Sequence, residues 1–144
     1  MAAPIPNGPY GIAKRGEQLL TLNDSKAPAV VLPPTGQPGE QEWHVEGLSN
    51  GNVTIKNLRH ETYLSFDGVP EINKMLRGSS QATEWQLRQS AEPQTFHVVV
   101  PGGPVDGVEL AVDLSLLRIF PPMTALRPLE PERLDQAWRF EFHE

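Results

Sequence analysis

The 144-residue chain contains no cysteine, so no disulfide holds it together and no thiolate does chemistry. No apolar run is long enough to span a bilayer, and the first residues, MAAPIPNGPYG, lack the basic and apolar segments of a secretory leader. A cytoplasmic protein that does not engage membranes is expected. Basic residues are few: 12 Lys and Arg stand against 18 Asp and Glu, a formal net charge of −6, which disfavours a nucleic-acid partner. Long helical windows are also missing. The stretch that comes closest, MTALRPLEPERLDQAW, is interrupted by Pro128 and Pro131 and leaves room at most for a turn at PERLDQ. There is no HExxH and no phosphate loop. The histidines His44, His60, His97 and His143 are scattered, and none stands at metal-ligand spacing. No catalytic residue, metal or cofactor is expected.

What is present is strand. The chain is 38% hydrophobic with 15 prolines and 12 glycines, too apolar for disorder and too rich in breakers for helices. At this length one domain with its own core is expected. Trp43/Val45, Trp85/Leu87 and Trp138/Phe140/Phe142 alternate with polar residues, the period-2 pattern of half-buried strands. YGIAK (10–14), LLTL (19–22), NVTIKN (52–57), YLSF (63–66), FHVVV (96–100) and ELAV (109–112) are read the same way.

The tryptophans belong to three versions of one phrase: EQEWHVE (40–46), ATEWQLR (82–88) and DQAWRFE (135–141). Aligning Ile12, Ile55 and Val99 gives spacings of 43 and 44, and aligning Leu20, Leu64 and Leu110 gives 44 and 46. The tryptophans are 42 and 53 apart, with residues 121–135 read as an insertion before Trp138. A unit of about four strands repeated three times cannot close its own core alone. Three together can, as six strands in a short barrel with three hairpins capping one end. The predicted fold is therefore an all-β, β-trefoil domain over 1–144, with lobes of about 8–50, 51–93 and 94–144. Trp43, Trp85 and Trp138 are predicted core residues.

Function on such a scaffold sits in the loops. Gln41-Glu42-Trp43 and Gln136-Ala137-Trp138 match the QxW pattern of ricin-type lectins, and Thr83-Glu84-Trp85 departs from it. That family places an aspartate inside the second strand of a binding lobe. Here Thr21, Ser65 and Ala111 are read at those positions, while Asp24, Asp67 and Asp113 are read as turn residues at or beyond the strand ends. Carbohydrate binding is the alternative function.

The opening PNGPYGI (6–12), the LPP at 32–34, the lack of cysteine and the closing AWRFE (137–141) resemble the small β-trefoil serine protease inhibitors of mushrooms, the cospin and cnispin type. The close is also similar to that of the mycocypins, which inhibit cysteine proteases. The resemblance implies a monomeric inhibitor whose partner is a trypsin-like serine protease met by a substrate-like loop. The loop best suited is LTLNDSKAPAVVL (20–32). Lys26 offers the basic side chain that a trypsin-type pocket takes. Ala27 is small at the bond presented, and Pro28 biases Ala27 toward extended backbone. Ser25 flanks the bond, and Asn23 is read as an internal brace. Arg127 and Arg133, in the stretch PPMTALRPLEPERLDQ (121–136), are secondary candidates; Pro128 spoils the first as a cleavage site and acidic neighbours the second. That stretch is otherwise read as a lid. Lys74 is a further basic candidate, Lys14-Arg15-Gly16 is read as a tight charged turn, and 33–41 keeps papain-like inhibition open.

Overall fold

The computed structural model describes residues 3–14 and 16–143. Arg15, part of the turn expected at 14–16, lies outside the described residues. The first four strands are β1 (Gly8–Lys14), β2 (Gln18–Thr21), β3 (Val30–Leu32) and β4 (Trp43–Gly47). The next four are β5 (Val53–Asn57), β6 (Tyr63–Ser65), β7 (Arg77–Ser79) and β8 (Gln86–Gln89). The last are β9 (Thr95–Val99), β10 (Leu110–Leu114), β11 (Thr124–Pro128) and β12 (Trp138–Phe142), with one 3-10 turn among the described residues, at Leu134–Gln136. The fold is a β-trefoil. Strands β12, β1, β4 and β5 pair in succession, β8 and β12 both pair β9, and Val53 and Trp85 join β5 to β8 through two 2.8 Å backbone hydrogen bonds. That bridge closes the barrel. Hairpins β2–β3, β6–β7 and β10–β11 cover one end.

The three tryptophans are the clearest expression of the repeat. All are buried, and each indole Nε1 donates at 3.0 Å to a carbonyl of the second strand of its lobe: Trp43 to Leu20, Trp85 to Leu64, Trp138 to Val112. A buried indole N–H without a partner would be costly. One residue per lobe thus packs the core and fixes the hairpin to the barrel.

The same bonds correct the third-lobe alignment. The equivalent of Leu20 and Leu64 is Val112, not Leu110, because Val112 is the residue that accepts from the tryptophan. Likewise Ala13 pairs with Leu19, Lys56 with Tyr63 and Val99 with Ala111. Val98, not Val99, therefore stands where Ile12 and Ile55 stand. Asp113 moves with the register. It lies inside β10, as Thr21 and Ser65 lie inside their strands, and is not a turn residue.

The stretch 121–136 is also not a lid. Its middle is β11, paired with β10 along five residues from Thr124 to Pro128. The prolines bound a strand here, and only 134–136 forms the short helical turn the sequence allows.

Near the pseudo-threefold axis the hairpins join one another. Ala29 N–H donates to Leu76 C=O (2.9 Å), Leu76 N–H to Thr124 C=O (3.1 Å) and Thr124 N–H to Ala29 C=O (3.0 Å). An outer set repeats the pattern: Gly78 to Ala27, Leu126 to Lys74 and Val31 to Pro122, at 3.1, 2.9 and 3.0 Å. The loops that begin the three hairpins therefore emerge side by side.

Trp85→Ala should destabilise the fold by about 3–5 kcal/mol, since it removes both a large buried ring and the donor to Leu64. Denaturant unfolding reads this directly. A loss near zero would mean that the ring does not carry its lobe.

Candidate functional site

The β2–β3 loop is held from inside and from outside. The Asp24 carboxylate accepts from Ser25 N–H at 2.6 Å, and Ala27 N–H donates to Asp24 C=O at 3.2 Å. Ser25 and Lys26 are therefore the central residues of a β-turn. From outside, Ala27 C=O accepts from Gly78 N–H (3.1 Å), and Pro28 bridges Arg77. A Cβ on Gly78 would come within 2.2 Å of Ser25 C=O. Only glycine there lets the second hairpin lie under the first loop.

Two expectations change. The brace is Asp24, while Asn23 is exposed and its side chain makes no hydrogen bond among the described residues. The Lys26–Ala27 bond lies in a closed turn, not in extended backbone. The physical reason is local: an aspartate that captures the next amide initiates a turn, while Pro28 restrains only Ala27. Lys26 itself is exposed and forms no ion pair among the described residues. It borders a cleft of about 510 Å³ shared with Pro28, Asp67, Glu71 and Ile72.

The other basic candidates are engaged. Arg127 lies in β11 and donates to Asn73 Oδ1 at 2.6 Å. Arg133 contacts three carboxylates: Asp113, Glu130 (2.5 Å) and Asp135 (2.9 Å). Lys74 pairs with Glu71 at 3.2 Å and precedes β7. The structure does not bring Lys26, Arg127 and Arg133 together into one contact.

The QxW glutamines act as braces. Gln41 is buried; its amide donates to Thr21 Oγ1 and Pro33 C=O, both at 3.0 Å, and its oxygen accepts from Thr35 N–H at 3.0 Å. It thereby ties down the 33–41 loop. Thr83 bonds Ser65 in the second lobe. Gln136, fully buried, donates to Asp113 Oδ2 (3.3 Å) and to Pro128 C=O (2.9 Å). Each lobe thus joins its QxW position to the residue that follows the tryptophan's acceptor. Asp113, the single carboxylate of that set, is covered by Arg133 and Gln136 and is 5% exposed.

Lys14, expected in a charged turn, is buried. Its ammonium donates to Asp135 C=O (2.5 Å) and Ala137 C=O (3.3 Å) and sits 4.2 Å from the Trp138 ring centroid. Burial pushes its pKa down to about 8, against the pull of Asp113 and Asp135. A second cleft, about 800 Å³, opens in the middle lobe between Asn52, Phe66, Asp67 and Glu84. Hydrogen bonds from Asn50 and Asn52 hold the Glu84 carboxyl below its usual range. Among the described residues no three His, Asp or Glu side chains stand together as a metal site would need.

No family model matches the chain, and no curated protein matches it. Solved structures do. The Macrolepiota procera ricin B-like lectin in complex with lactose superposes with a TM-score of 0.77 at 21% identity, over 98% of this chain and 100% of its own. The Rhizoctonia solani agglutinin gives 0.79 at 16% identity, over 99% and 100%. ThreeFoil, a designed 3-fold symmetric protein, gives 0.78 at 14%, over 94% and 99%. At these identities the likeness is one of fold.

The depressed pKa of Lys14 has a pH consequence. The unfolded side chain takes up its proton at higher pH than the folded one, so the folded state gains stability as pH rises from about 8 toward the ordinary lysine value. Replacing Lys14 with Met should flatten that part of the stability curve. An unchanged slope in Lys14→Met would show that the ammonium is not penalised by its burial.

Proposed function

We propose that the protein inhibits trypsin-type serine proteases and that Lys26 enters the specificity pocket, with Ser25, Ala27 and Pro28 around it. One observation carries the reading. Lys26 is an exposed cation without an ion-pair partner among the described residues, set on a backbone that Asp24 and Gly78 hold in place. A side chain offered from a pre-ordered loop loses little entropy on binding. The turn is a small obstacle. Opening the Asp24–Ala27 hydrogen bond costs about 1 kcal/mol, against roughly 12 kcal/mol in a nanomolar complex. The target would be met by a monomer.

Sugar binding is the second reading. The lactose-bound neighbour favours it, as does the middle-lobe cleft, whose polar rim surrounds the partly exposed Phe66. It is the weaker one, because Thr21 and Ser65 lack a carboxylate and Asp113 is covered by Arg133.

Titration of trypsin separates the two. Lys26→Asn should weaken inhibition about 30-fold or more, the effect of leaving a pocket charge unpaired, while folding stability stays within about 0.5 kcal/mol of the parent. Arg127→Asn should leave inhibition unchanged. A parent that leaves trypsin untouched yet binds a glycan array would replace inhibition with sugar binding.

Gly78→Ala supplies an independent check. The new methyl displaces the Ser25 carbonyl, so inhibition should weaken although Lys26 is intact. Full inhibition by Gly78→Ala would show that the shape of the loop does not matter.

A further inference from the structure

The β10–β11 loop carries the sequence Leu116-Leu117-Arg118-Ile119-Phe120, bounded by Ser115 and Pro121. Its apolar residues face solvent: Leu116 is 68% exposed, Leu117 58%, Ile119 47% and Phe120 81%. A soluble protein does not usually display so many large apolar side chains together unless something covers them. Arg118, in their midst, is exposed too and makes no ion pair or hydrogen bond among the described residues.

The backbone of this loop differs from that of the β2–β3 loop. Ser115 N–H donates to Met123 C=O at 2.7 Å and closes its base, and Ser115 Oγ accepts from Leu117 N–H at 3.1 Å. Between those points, among the described residues, no backbone-to-backbone hydrogen bond involves residues 116–121. The carbonyls and the remaining amides are free to pair with another chain, as the backbone of a bound substrate pairs with a protease cleft. The loop is also fixed to the same platform. Pro122 C=O accepts from Val31 N–H as Ala27 C=O accepts from Gly78 N–H, so the two loops are threefold equivalents projecting from one end of the barrel.

We infer that the β10–β11 loop is a second protease-directed site, with Arg118 as the side chain that enters a trypsin-type pocket and Arg118–Ile119 as the bond presented. The inference rests on the inhibitory reading proposed above and extends it to a residue that reading does not use. The chemistry is that of a basic residue followed by one that is not proline, flanked on both sides by apolar side chains that a protease surface would cover. Slow hydrolysis of that bond would consume one water, leaving the new carboxylate on Arg118 and the new amine on Ile119. The site would be the weaker of the two, since a loop without internal backbone bonds must be ordered on binding.

Three variants and a map of cleavage decide it: Lys26→Asn, Arg118→Asn and the double substitution, each titrated against trypsin, with the cleaved bond identified by mass spectrometry after long incubation. Both positions are exposed, and thermal unfolding checks that each variant is folded. Lys26→Asn should retain a residual inhibition that Arg118→Asn in the same chain removes, by about tenfold or more. In Lys26→Asn, where the first site is removed, the slowly cut bond should be Arg118–Ile119. If the double variant inhibits as well as Lys26→Asn alone, the second site does not exist while the first stands. If Arg118→Asn alone abolishes inhibition and Lys26→Asn does nothing, the second site stands and the first falls. A parent without effect on trypsin overturns both. Rapid cleavage at Arg118–Ile119 without inhibition makes the loop a mere substrate and overturns the inference. So does binding to phosphatidylcholine vesicles that Phe120→Ser removes while every trypsin titration stays unchanged, which would assign the apolar tip to a lipid surface.

Discussion

Three backbone hydrogen bonds near the pseudo-threefold axis hold the capped end of the molecule in register. Ala29, Leu76 and Thr124 each donate to the next and accept from the last, so the cycle has no free end. Each residue belongs to a different lobe, and the three are spaced by 47 and 48 positions. A hairpin that slipped by one residue would lose both its bonds in the ring and turn its apolar face outward. The tryptophans below act through the same lobes. Each ties its hairpin to the barrel wall through a carbonyl that lies on the second strand. Ring and indoles together fix where every cap-side loop leaves the body.

Much of this is legible in the sequence, because a tryptophan that opens a period-2 stretch recurs three times in fixed order. The barrel strands follow from period-2 alternation. The third lobe is where sequence reasoning slips. Leu110 and Val112 are both apolar and two apart, so a period-2 pattern fits either one equally well. Only the bond from Trp138 to Val112 chooses between them. The two-residue slip conceals that Asp113 lies inside a strand. The stretch 121–136 is misleading for a related reason: its prolines suggest a loop, yet Pro128 ends β11 and need not donate to the ladder beyond it.

The candidate site is less legible than the fold. Lys26 is visible as a basic residue among turn formers, and it is found exposed. Its backbone shape is not visible, because that depends on the choice of Asp24 over Asn23 as the group that captures an amide. Arg133 and Lys14 read as surface charges and prove otherwise through partners far along the chain. Lys14 reaches carbonyls at 135 and 137, and Arg133 reaches Asp113. Arg118 offers no local signal. It stands in an apolar run free of glycine, asparagine and aspartate, so no turn former marks it as an exposed tip. The cover on Asp113 bears on function as well: the lobe whose strand carries a carboxylate is the lobe in which an arginine occupies it.

The outer set of hydrogen bonds gives each cap loop the same pair of sockets. Each loop returns to the ring region through a carbonyl at 27, 74 or 122 and, four residues further on, an amide at 31, 78 or 126. Ahead of the sockets, between the second strand of the lobe and the carbonyl, the three segments differ in length and chemistry, from a tight polar turn to an open apolar tip. The body therefore behaves as a holder with three interchangeable fittings. A segment cut from one lobe and grafted into another would meet familiar anchoring groups, and the scaffold can exchange what it displays without altering its core.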